Sequence, residues 1–151
     1  MVLPLRDSPR VRSRPWVNWL LLTANLAIFL LEVGSPAAGE WLVENLALVP
    51  TDLLSPSAWA ASGGRPLVTL FASAFLHGSW GHVLGNMLYL WVFGDNIEER
   101  LGHWRYLLFY LLCAALANVA HAVANPTSAV ATIGASGAVA GVLGGYIFSY
   151  P

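Results

Sequence analysis

The chain of 151 residues contains no lysine; its seven basic residues are all arginine. A Ser–Lys catalytic pair is therefore excluded within it. It has one cysteine, Cys113, so no disulfide forms inside the chain. That cysteine lies in an apolar run and reads as a small packing residue. Charge is the scarcest commodity: 10% of residues are charged against 57% hydrophobic, where soluble domains carry roughly 25% charged residues. No charged residue occurs from Pro15 to Leu31, from Pro66 to Gly94, or anywhere after Arg105. Those gaps, with a mean hydropathy of +0.63, exclude a disordered chain and a water-facing fold. A net charge of −1 gives no footing for nucleic acid. The composition implies an integral, multi-pass membrane protein whose first partner is the lipid bilayer.

A membrane-crossing helix needs about 20 mostly apolar residues. Four segments meet the need: Trp16 to Val33, a stretch within Leu76 to Gly94, Trp104 to about Ala124, and a last one from near Thr132 to the end. The first is longer than the apolar core of a signal peptide, about 7–15 residues, and reads as a retained anchor. Residues 1–15 form a basic N-terminal stretch, and 16–151 one all-α polytopic domain with about four transmembrane helices. With the N-terminus inside, six of the seven arginines lie inside and only Arg65 outside, as the positive-inside rule prefers. The loop of about 34–75 is then external. Within it Trp41, Leu42, Leu46 and Val49 fall on one side of a short interfacial helix.

Some residues do not belong in lipid. His82 and Asn86 lie four apart on one helix face, with His77 just before that helix and Ser79 placed to cap it. Polar groups at membrane depth usually face a protein interior or cavity. Hydrogen-bonding glue between helices is the plainest role for this pair. His77 and His82, five apart, do not share a helix face, and no further ligand sits nearby at metal-binding spacing. Gly134-Ala135-Ser136-Gly137 opens the last helix at a matching depth. A serine nucleophile needs a base and donors for the developing oxyanion, and neighbouring glycines admit a carbonyl to its N–H. Gly137, Gly141 and Gly145 also form a small-residue ridge for close helix packing, for which no partner helix is evident in the chain. A soluble hydrolase elbow is excluded, since Ala138 stands where its last glycine belongs and no strand precedes the serine. Any base for Ser136 must be a histidine.

In this order the motifs resemble the rhomboid family of intramembrane serine proteases, over about Leu46 to Pro151. His77, His82 and Asn86 look like its H-x4-H-x3-N run. Gly94 to Gly102 looks like its G-x3-E-x-R-x-G segment, and Gly134 to Gly137 like its GxSG. The resemblance implies a rhomboid-like helical bundle that cleaves transmembrane segments of other proteins, with no cofactor and no metal. It implies Ser136 as nucleophile, an oxyanion hole from the Ser136 N–H, His82 and Asn86, room supplied by Gly134, and a structural pair of Glu98 with Arg100. The family's base histidine stands on a sixth helix, and none of His77, His82, His103 or His121 matches it. The chain accordingly reads as the N-terminal portion of such a protease, without its last two core helices and inactive alone, in a bacterial inner membrane with its N-terminus cytoplasmic. The alternative is a non-catalytic rhomboid-like protein that binds transmembrane clients. The family's Trp-Arg pair in the first external loop is not matched, since Trp59 and Arg65 stand apart and Trp104-Arg105 falls inside. Substrate identity and oligomeric state are not encoded in these patterns.

Overall fold

The computed structural model describes residues 13–150, and the arginine-bearing start, including Arg6, Arg10 and Arg12, lies outside the described residues. Among the described residues the regular elements are helical, with one isolated two-residue bridge. Helix α1 (Trp16–Gly34) leads into four short helices, α2 (Pro36–Leu46), α3 (Pro50–Leu54), α4 (Pro56–Ala61) and α5 (Arg65–Ala72), the last continued by a 3-10 turn over Ser73–Phe75. Three long elements follow: α6 (Trp80–Leu101), α7 (His103–Ala124) and α8 (Ser136–Ser149).

The boundaries follow from local chemistry. Proline opens α2, α3 and α4, where its missing N–H costs nothing. Ser35 and Ser55 cap α2 and α4 through their hydroxyls, accepting from Ala38 and Ala58 N–H. The expected interfacial helix is thus α2, but Val49 lies outside it as the residue before α3. Gly102, at φ +80, turns the chain from α6 into α7. Such a left-handed turn suits a residue without Cβ.

Helices α1 and α7 are each long and apolar enough to cross a membrane. The unit of α5 with its 3-10 turn, followed by α6, passes the same test as a pair bent by 82°. At the expected fourth span lies the apolar helix α8, with 14 described residues. It starts at Ser136 rather than near Thr132 because the preceding backbone is used elsewhere. Thr132 exchanges two hydrogen bonds with Leu48 (2.7 and 3.1 Å), and the Gly134 N–H reaches the Ser73 carbonyl at 2.9 Å. Among the described residues two helices pass the crossing test alone, a third span is added when the bent pair counts as one, and α8 is a shorter apolar helix.

The core lies where α1, α6, α7 and α8 meet, around Phe29, Val83, Leu90, Tyr106, Tyr110 and Val142. Leu20, Leu30, Leu116, Val123 and Phe148 point outward, an apolar exterior that water would not tolerate and lipid does. The chain is an integral all-α membrane protein.

One polar junction ties three helices together. Glu98 is 1% exposed and accepts the backbone N–H groups of Val17 (3.0 Å) and Asn18 (2.7 Å). These are otherwise unpaired donors in the first turn of α1, and an anion there also meets the positive end of the helix dipole. Its third contact is His103 Nδ1 at 2.5 Å, at the start of α7. Alongside, the Tyr106 hydroxyl donates to Asn18 Oδ1 (2.8 Å) and Asn18 Nδ2 to the Leu90 carbonyl (3.1 Å). Gly94 leaves space for this junction: a Cβ there would stand 2.7 Å from Asn18 Cγ and from the Tyr106 oxygen. The expected Glu98–Arg100 pair is not what forms. Arg100, two residues on, points off another side of α6, with its guanidinium 5.9 Å from the Tyr150 ring centre.

Candidate active site

The residues singled out in sequence come together at the ends of α6 and α8 that lie away from Glu98. Ser79 caps α6, accepting the His82 N–H at 3.2 Å, and so fixes the helix register from which His82 and Asn86 project on one face. His77 lies in the non-helical link before it, 2% exposed. Its Nε2 is 3.1 Å from Asn86 Nδ2. An amide nitrogen only donates, so this contact leaves Nε2 the acceptor. The His77 and His82 rings meet edge to face with centres 5.1 Å apart. Helical spacing denied them a common face, but His77 is not on the helix. A carboxylate from α1 anchors the link: Glu32 Oε2 accepts the His77 backbone N–H at 3.1 Å.

The serine segment arrives from the other side. Gly134 has φ +126, a backbone conformation that a side chain strains, and it lies against His82. A Cβ on it would stand 2.5 Å from His82 Cε1 and 2.6 Å from Nε2. Two residues later Ser136 begins α8, where backbone N–H groups have no partner within the helix. Ser136 is exposed and borders a cavity of about 140 Å³, with Gly134, Gly137, Asn118, His121 and Thr132 among its walls. The architecture thus brings His82 against the Gly134 backbone and leaves Asn86 one layer behind, held by His77. Among the described residues no hydrogen bond joins the Ser136 hydroxyl to a histidine. His103 is at the opposite end with Glu98. Also among the described residues, no three His, Cys, Asp or Glu side chains are grouped to hold a metal.

Several supports escaped the sequence. Asn118 of α7 donates to the Leu70 carbonyl (2.8 Å) and to Ser73 Oγ (2.9 Å), bracing the turn whose carbonyl holds Gly134. The Leu48–Thr132 bridge and the Thr51 N–H on the Ser128 carbonyl at 3.2 Å tie the loop after α2 to the strand-like approach to Ser136. Glu32 had a signal, as the lone carboxylate ending a charge-free run. The others are long-range contacts, one from the Asn118 side chain and two between backbones, with no local pattern.

The glycine ridge is a correction. Its expected partner was absent from the chain, yet α7 fills that place. Gly137 faces Ala117, Gly141 faces Cys113 at 2.6 Å from a Cβ position to Cys113 Cβ, and Gly145 faces Phe109 at 3.4 Å. Small residues on both helices let their backbones approach, and Cys113 is the packing residue its surroundings implied.

The family model described as Rhomboid domain matches residues 64–151, more than half of the chain. The chain is 37% identical over 70 residues to rhomboid-like protein 11, chloroplastic, of Arabidopsis thaliana, covering 46% of this chain and 25% of that protein. It is 34% identical over 79 residues to the putative rhomboid protease YdcA of Bacillus subtilis, covering 52% and 39%. With the rhomboid protease GlpG of Klebsiella pneumoniae it shares 28% over 113 residues, covering 72% and 36%. The chain spans between a quarter and two fifths of the length of these relatives. With more than half its length matching the family and its helices apolar enough to cross a bilayer, the chain is a member of the rhomboid family.

Proposed function

We propose that this chain carries the nucleophile and oxyanion half of an intramembrane serine endopeptidase that cleaves transmembrane segments of other membrane proteins. The observation that carries the reading is the approach of the His82 ring to the Gly134 backbone, two residues from an exposed serine at a helix N-terminus. In this reading the Ser136 Oγ attacks the scissile carbonyl while a histidine outside this chain takes its proton. The carbonyl oxygen, now an oxyanion, is held by the Ser136 N–H, His82 and Asn86, a preorganised donor set of the kind that lowers such barriers most. Gly134 leaves room for the substrate backbone. Collapse expels the amine of the leaving segment, which takes the proton back from the base, and water then hydrolyses the acyl-serine. The N-terminus is cytoplasmic and the site opens to the outer face of a bacterial inner membrane, as the arginine distribution favours.

A second reading, a rhomboid-like protein that binds transmembrane clients without cutting them, draws on the position of the four histidines. None is hydrogen-bonded to Ser136 among the described residues. The deciding experiment expresses the complete reading frame containing this chain and incubates it with a transmembrane substrate. Cleavage is expected, abolished in Ser136→Ala, retained in Cys113→Ala, and lowered about 10²–10³-fold in His82→Ala, the usual loss for one oxyanion donor. Capture of the substrate with no cleavage would establish the second reading.

A further inference from the structure

At the end of the bundle away from Ser136, the last turns of α6 and α8 and the second turn of α7 enclose an apolar pocket of about 260 Å³. Ile97, Leu101, Phe109 and Phe148 wall it, Gly145 leaves it open, and Arg100 and Ser149 stand among its lining residues. Arg100 is exposed, and no carboxylate is among the described residues lining the pocket. Glu98, two residues before Arg100, is consumed by the α1 junction. Phe148 is 89% exposed, and Trp104, at the start of α7, is 81% exposed. Exposed tryptophan beside arginine is the composition of the bilayer interface. An apolar hole whose one charged lining residue, among the described residues, is a cation fits an amphiphile with an acyl chain and a negative head.

The geometry points to a specific site for an anionic phospholipid: an acyl segment in the pocket between α6, α7 and α8, its phosphate on the Arg100 guanidinium and the Ser149 hydroxyl. A guanidinium offers a planar fork of donors that matches phosphate oxygens. A basic side chain at the surface adds roughly a fivefold preference for anionic lipid. Tyr150, against which Arg100 rests at 5.9 Å, keeps the guanidinium over the mouth of the pocket. This site is independent of the proposed proteolysis.

The test is native mass spectrometry of the complete protein containing this chain, purified and mixed with phosphatidylglycerol and phosphatidylcholine of identical acyl chains. The protein is expected to retain one phosphatidylglycerol at this site in preference to phosphatidylcholine. Arg100→Gln should weaken that retention about fivefold, while Arg105→Gln, an exposed arginine at the same end that does not line the pocket, should leave it unchanged. Gly145→Leu, or Ser149→Phe where the first fails to fold, should fill the pocket and release both lipids. Equal effects of the two arginine variants would mean a diffuse surface attraction and overturn the site. Undiminished retention in the pocket-filling variants, or equal retention of the two lipids by the unmodified protein, would overturn it as well.

Discussion

The Glu98 junction offers the sharpest physical test, because a single side chain there holds two helix termini in a buried setting. Glu98→Ala removes the acceptor for the Val17 and Asn18 N–H groups, bonded at 3.0 and 2.7 Å. Asn18 is 1% and Val17 9% exposed, so water does not readily replace the carboxylate. Each stranded donor costs about 1–3 kcal/mol, and loss of the anion from the helix N-terminus adds about 0.3–1 kcal/mol. With two donors stranded, these terms sum to a destabilisation of about 2–7 kcal/mol. Glu98→Gln keeps one carbonyl oxygen but turns an NH₂ group toward a second donor, so it should lose about 1.5–3 kcal/mol, the range for a charged hydrogen bond. His103→Ala should cost least, about 0.5–1.5 kcal/mol for one hydrogen bond, because that side chain is half exposed and the two backbone N–H groups still hold the carboxylate. Equilibrium unfolding in detergent, followed by helical circular dichroism on the three variants, reads the order Ala, then Gln, then the His103 variant. A loss under about 1 kcal/mol for Glu98→Ala would refute the claim that this carboxylate caps α1.

Three further outcomes follow from the geometry. Gly134→Ala combines a strained φ of +126 with a collision on the His82 ring. It should cost about 1–3 kcal/mol in stability and abolish substrate cleavage by the complete protein, whereas Gly144→Ala, which meets nothing within 4 Å, should leave both unchanged. Gly141→Ala should destabilise the chain by about 1–3 kcal/mol through overpacking against Cys113, and the double variant with Cys113→Gly should recover most of that loss in the same unfolding assay. In the isolated chain a serine-directed fluorophosphonate should label Ser136 poorly, since no histidine is hydrogen-bonded to it among the described residues; strong labelling in a mass spectrum would mean that His121, which shares its cavity, supplies the base.

Much of the architecture was legible along the chain because lipid makes composition a structural signal. Residues without charge over membrane-length runs have few alternatives to a helix, so α1 and α7 emerged with boundaries within about two residues, a scatter common at helix ends. Ser79 marked the start of α6 by its capping hydroxyl. The candidate site was legible as a set of residue types, since His82 and Asn86 share a face by helical period alone and the Gly-x-Ser-Gly run is contiguous. What failed were inferences that treated a long-range partner as a local one. The family resemblance paired Glu98 with Arg100, but the donors that Glu98 satisfies are 80 and 81 residues away. The ridge on α8 was left without a partner because sequence gives small residues but not the helix they meet.

The sequence by itself determined that this is a helical membrane protein with a polar cluster on one helix and a glycine-flanked serine on another. Those properties depend on transfer free energy and on helical periodicity, both local along the chain. Tertiary structure alone decided that His77 joins Asn86, that Glu32 and Asn118 brace the segments carrying them, and that α8 begins only at Ser136. It decided too that Arg100 faces an apolar pocket and not Glu98. Each depends on which distant backbone donor or acceptor must be satisfied in a low-dielectric interior, where an unpaired group is costly, and that requirement is settled only when the helices have come together.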